Sequence, residues 1–151
     1  QHYDLTKLTD LPFKPMEIGR LCIDQQVRDP FLLLSAFKYL RSLVSSRRID
    51  FMFGCTSFSG ADNPRHLESL NSLEKNQLAD AKFPIKKKSP RILDIKKEIT
   101  DVAKHKTAKS FLPPLLKFYL GLGGKVSDHA VIDRDLDTLH VFTYVDLKEK
   151  N

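Results

Sequence analysis

Residues 49–55, Ile-Asp-Phe-Met-Phe-Gly-Cys, form a nearly unbroken apolar run of strand length, and such a run predicts a β-strand covered on both faces. A second strand-like run, residues 16–23 (Met-Glu-Ile-Gly-Arg-Leu-Cys-Ile), precedes it. Between the two, Asp29 suits a helix N-cap and Pro30 the first turn. Phe31, Leu34, Phe37, Leu40, Leu43 and Val44 then give one broad apolar helix face, ending near Ser46 before the basic pair Arg47-Arg48. Strand, helix, strand at this spacing predicts a βαβ unit whose strands are parallel neighbours.

The rest of the chain extends that unit. Asp62-Asn63-Pro64 can cap a helix that carries Leu67, Leu70 and Leu73. Residues 111–122 read as a helix started by Pro113-Pro114 and stopped at Gly123-Gly124. His129–Asp133 and Leu139–Leu147 read as two strands, and the turn-rich residues 134–137 between them predict a hairpin. Residues 1–14, broken by Pro12, read as a loop or an edge element. The expected order is β-α-β-α-(basic insert)-α-β-β, an α/β fold with a mixed sheet. At 151 residues, 41% of them hydrophobic, the chain can bury one core of its own.

Charge is concentrated in one place. Residues 80–109 hold ten Lys or Arg against four Asp or Glu, an excess equal to the whole net charge of +6. A local basic patch implies an acidic partner: anionic lipid, an acidic carrier protein or nucleic acid. A solvated surface loop accounts for it equally well. Specific nucleic-acid binding is the weaker reading, because few aromatic residues are interleaved. No apolar run approaches the roughly 20 residues of a spanning helix. Cys22 and Cys55 each sit in an apolar run, which predicts two buried thiols in a reducing cytoplasm.

Chemistry concentrates in the first strand and the turn after it. Glu17 at a strand centre can hold an amine or accept its proton, and Arg20 can pair with a carboxylate or phosphate. A buried Glu17–Arg20 ion pair is the competing structural reading. Arg28 stands at the strand-to-helix turn, where a helix N-terminus attracts phosphate; Asp29 beside it repels an anion, and the turn has no glycine. His66, His105, His129 and His140 share no metal-ligand spacing, so surface or capping roles are expected and no metal site is assigned. The chain has no Ser-His-Asp elbow, no phosphate-binding loop of the Walker type and no dinucleotide-binding glycine pattern.

These residues also carry a resemblance. The series Glu17-x-Gly19-Arg20-x-Cys22-Ile23-Asp24, then Arg28-Asp29, then Phe53-Gly54-Cys55-x-Ser57-Phe58 with Gly60, resembles the hemolysin-like acyltransferases of the GNAT superfamily, which include the enzymes that N-acylate ornithine in ornithine-lipid synthesis. Leu112-Pro113-Pro114-Leu115-Leu116-Lys117-x-Tyr119-x-x-x-Gly123 and Asp133-x-Asp135-x-x-Thr138-x-x-Val141-Phe142 extend the likeness. Upstream, Tyr3-Asp4-Leu5 resembles the family's Glu-aromatic-Asp-Leu segment, with His2 in place of the Glu. The first strand is also similar to the Glu-x-(Ser/Thr)-Arg strand of acyl-homoserine lactone synthases.

The resemblance implies a GNAT-type mixed sheet of which this chain holds the C-terminal half, with the N-terminal strands upstream of Gln1. It implies that residues 16–23 and 49–55 splay apart to admit a pantetheine arm. It implies an N-acyltransferase that takes a fatty acyl group from acyl carrier protein, or from acyl-coenzyme A, to the amine of an amino acid such as ornithine. Glu17 and Arg20 would be catalytic; the backbone of Leu21, Cys22 and Ile23, with Arg28, would hold the donor's pantetheine and phosphate. Implied partners are acyl carrier protein, the amino-acid acceptor and, peripherally, an anionic inner membrane face. A non-catalytic module binding anionic lipid or nucleic acid through the basic segment is the alternative.

Overall fold

The computed structural model describes residues 2–10, 12–24, 26–27, 29, 31–62, 65–74, 77–80, 82–83, 85–97 and 112–148. In chain order its elements are β1 (Tyr3–Asp4), α1 (Thr6–Thr9), β2 (Pro15–Glu17), α2 (Leu32–Ser46), β3 (Phe51–Ser59), α3 (Arg65–Glu74), β4 (Lys86–Lys87), β5 (Ile92–Asp94), α4 (Pro114–Gly121), β6 (Lys125–Asp133) and β7 (Thr138–Asp146). Five strands form one sheet in the order β2-β3-β7-β6-β5, and β1 pairs separately with β4. β2 runs parallel to β3; the other neighbours are antiparallel. This is the expected α/β mixed sheet, and its order is compatible with a GNAT-type sheet.

Both faces of the centre are covered, and β7 records it. Leu139, Val141 and Val145 point to the helices, where Phe58, Leu70, Leu73, Leu116, Met52 and Tyr119 meet them. Phe142 and Tyr144 point the other way, into Tyr3, Phe51, Phe83 and Ile85. Alternate residues therefore enter two cores, so every residue from Leu139 to Val145 is buried. The parallel β2–β3 pair with α2 between them is the βαβ unit that the spacing predicts. Asp29 acts just ahead of α2: its carboxylate accepts from the Phe31 N–H at 2.8 Å. Pro30, Asn63 and Pro64 lie outside the described residues.

Several expectations need correction. The strand expected over 16–23 stops at Glu17, because Gly19 and then Arg20, with φ of 53°, turn the chain away. β3 runs on to Ser59, since β7 pairs with it along its whole length. The lysine-rich stretch, read as a basic insert without strands, contributes β4 and β5 as well as a helical turn at residues 95–97. Cys22 and Cys55 are exposed, not buried: residues 21–24 have left the sheet and Cys55 lies where β3 has lost its parallel neighbour. His66, His129 and His140 are buried, not on the surface, since rings on these paired strands and on α3 face the two cores. No helix among the described residues is long and apolar enough to cross a membrane.

Candidate active site

The end of β2 creates a wedge in the sheet. Glu17 pairs with Phe53, and the Ile18 N–H donates to the Phe53 carbonyl at 2.8 Å. Beyond that bond no ladder contact joins residues 19–24 to β3 among the described residues. β3 continues past the fork through Cys55 and Ser57. The opening is a cleft of about 360 Å³, lined by Arg20, Leu21, Ile23, Cys55, Ser57 and the start of α4 at Pro113–Leu115. That size and a mainly apolar lining suit a ligand with a long apolar part. A larger cleft of about 550 Å³ lies at the other end of β3, lined in part by Arg48 and by Asp50 and Lys148, which pair with each other at 3.3 Å.

Gly54 fixes the fork. A β-carbon there would stand 2.2 Å from the Ile18 carbonyl oxygen and 3.1 Å from the Tyr119 hydroxyl. Only a glycine lets β2, β3 and α4 converge at this point. Gly54→Ala is therefore expected to cost about 1–3 kcal/mol by overpacking. A denaturant midpoint equal to that of the parent protein would contradict the close approach.

The fork brings together groups from three elements. The Glu17 carboxylate sits on the face of Phe53, beside Gly19, whose added β-carbon would lie 3.6 Å from Glu17 Oε1. Glu17 is exposed, and no ion pair joins it to Arg20 among the described residues. Tyr119, on α4, is fully buried on the opposite face with Met52 and Val145, and its hydroxyl has no hydrogen-bond partner. Burial holds that hydroxyl well above the usual phenol range, with the Cys55 and Glu17 charges adding to the effect. The group is thus a protonated donor with nothing to donate to. Glu17 and Arg20 do not form a core ion pair: both are exposed, and Arg20 lines the wedge. Tyr119 belongs to the Pro113–Gly123 segment, but sequence gave it no role.

Leu21, Cys22 and Ile23 are exposed, and Leu21 and Ile23 line the cleft. Among the described residues no hydrogen bond takes up their backbone N–H groups. Arg28 lies outside the described residues. Cys55 opens onto the cleft, but the surrounding walls push its thiol up to about 11, with the Glu17 carboxylate adding to the rise. Little thiolate exists there at neutral pH.

Curated relatives place this wedge in a family context. The chain is 31% identical over 145 residues to a protein of Rhodobacter capsulatus named L-ornithine N(alpha)-acyltransferase, which covers 95% of this chain and 55% of that relative. A Brucella abortus protein of the same name is 32% identical over 140 residues, covering 90% of this chain and 48% of its own length. The chain is a relative of the L-ornithine N(alpha)-acyltransferases. A third protein of that name, from Rhizobium meliloti, is 29% identical over 126 residues, 83% of this chain and 43% of its own length. The chain thus spans about half the length of the curated acyltransferases it matches. No family model and no solved structure matches it.

Proposed function

We propose that the protein is an N-acyltransferase that moves a fatty acyl group from a pantetheine thioester to the α-amine of ornithine. The observation that carries this reading is the fork itself. A carboxylate stands on one face, a buried hydroxyl on the other, and neither that hydroxyl nor the backbone N–H groups of residues 21–23 have a hydrogen-bond partner among the described residues.

The thioester lies in the wedge with its carbonyl oxygen toward the N–H groups of Leu21, Cys22 and Ile23, which stabilise the oxyanion as it forms. The amine attacks the carbonyl carbon, and Glu17 holds the amine and takes its proton. As the new C–N bond forms, the C–S bond breaks; the thiolate leaves with the proton that Glu17 took from the amine, and the Tyr119 hydroxyl donates a hydrogen bond to its sulfur. Arg20 on the rim pairs with the carboxylate of the amino acid. Arg28 meets the donor's phosphate. Leu21 and Ile23, exposed on the cleft lining, with the exposed Val27 and Phe31 that follow them in the chain, give apolar surface suited to passing a lipid product to an anionic membrane face.

The donor's carrier is read from charge. Lys86 and Lys88 are exposed at the separate β1–β4 pair. Lys104, Lys106 and Lys109 lie outside the described residues; in the chain they come just before Leu112 and Pro113, and Pro113 lines the cleft. Cations spread along residues 80–109 suit docking of an acidic acyl carrier protein, and the sequence around Arg28 lacks the glycines that would take the pyrophosphate of coenzyme A.

Cys55 is not the acyl acceptor in this scheme, because its thiol stays protonated. Cys55→Ser is expected to keep transfer within about threefold, as for other exposed substitutions; loss of turnover would point to a covalent route. The reading as a whole is tested with the full-length protein, long-chain acyl carrier protein or acyl-coenzyme A, and a panel of amino acids. N-acylornithine formed faster from the carrier protein supports it. Absence of any N-acyl product with either donor would overturn it.

A further inference from the structure

One strand away from the wedge, the fold gathers three metal-ligand side chains from distant parts of the chain. His2 precedes β1, Asp133 ends β6, and His140 lies on β7 near the hairpin turn. Each offers one donor atom, and the three atoms lie within 4.8 Å of one another. His2 Nε2 is 3.9 Å from Asp133 Oδ2, and the His2 ring meets the His140 ring edge-on with centroids 5.1 Å apart.

Surrounding groups hold these donors in place. Asp133 Oδ1 accepts from the N–H groups of Asp135 and Leu136, each at 3.1 Å, which leaves Oδ2 turned to His2. The Tyr3 hydroxyl donates to the His140 carbonyl at 2.8 Å and stands 3.4 Å from His140 Nδ1. That contact favours a proton on Nδ1 and a lone pair on Nε2. The Asp133 side chain is 11% exposed and His140 is 5% exposed, so a carboxylate and a ring have both been withdrawn from water. Such a carboxylate calls for a cation.

We propose that His2, Asp133 and His140 bind one divalent transition-metal ion, zinc by the donor set, which pins the β1 segment to the β6–β7 hairpin. Two imidazoles and one carboxylate match the ligands zinc takes, and they disfavour calcium and magnesium, which require oxygen ligands. Tetrahedral zinc with bonds of about 2.1 Å needs donors roughly 3.4 Å apart. The His2–Asp133 separation of 3.9 Å exceeds that by about half an ångström, all three donors lie within 4.8 Å of one another, and His2, 44% exposed, has room to close. Water fills the fourth position. Sequence spacing hides this site, since its ligands come from both ends of the chain.

The test is zinc titration of chelator-treated full-length protein by calorimetry, paired with thermal unfolding. One zinc per chain is expected, with a dissociation constant near or below about 1 μM, and a higher unfolding temperature. His2→Ala and Asp133→Asn should each weaken zinc binding by at least about tenfold and abolish the thermal shift. His2→Ala removes a partly exposed ring, so circular dichroism should report an unchanged fold. Wild-type protein that takes up no zinc, variants that bind it as well as wild type, or magnesium binding as tight as zinc binding would each overturn the proposal.

Discussion

Glu17→Gln is expected to lower kcat for amine acylation by about 10²–10⁴-fold, the range that a positioned general base contributes. The amide keeps the shape of the carboxylate but cannot take the amine's proton. Glu17 is exposed at the end of β2 and belongs to none of the buried clusters. Its replacement should therefore leave stability within about 0.5 kcal/mol. Product formation at saturating ornithine, followed by mass spectrometry, gives kcat, and thermal unfolding checks the fold. Transfer at the parental rate would remove Glu17 from the mechanism.

Tyr119→Phe separates catalysis from folding more sharply. The Tyr119 hydroxyl is buried and unpartnered, so the folded state carries its desolvation without a compensating hydrogen bond. Phenylalanine fills the same space above Gly54 without that group. Stability should stay level or rise by about 1–3 kcal/mol. Transfer should fall by about 100-fold, because the departing thiolate loses its hydrogen-bond donor. A variant that is more stable and less active fits a hydroxyl placed for chemistry. A variant that is more stable and fully active would assign Tyr119 to packing alone.

The two parallel strands with their crossover helix, and the hairpin at the end, were legible because each rests on a strong local pattern: an unbroken apolar run, one apolar helix face, and a turn between two alternating segments. The length of β2 was not. Leu21, Cys22 and Ile23 are as apolar as a buried strand, yet all three are exposed and Leu21 and Ile23 line a cleft, and apolarity alone does not distinguish a core from an apolar binding wall. Gly19 was the available signal for the break. β4 and β5 were hidden for another reason: edge strands carry charge on their open side, so Lys86 and Lys87 read as loop. Glu17 and Arg20 could be picked out because charge is costly in an apolar run. Tyr119 could not, since its significance comes from lying over Gly54, which is far from it in the chain. The same holds for His2, Asp133 and His140.

Direct transfer across the fork is most directly tested by intact-mass measurement of the full-length protein. The protein is first mixed with a long-chain acyl thioester in the absence of amine, and ornithine is then added. No mass gain is expected in the first step; free thiol and N-acylornithine should then appear together. An acyl adduct on Cys55 that ornithine discharges would contradict direct attack by the amine, and a mixture that yields no N-acylornithine at all would contradict the assignment of the fork as an acyl-transfer site.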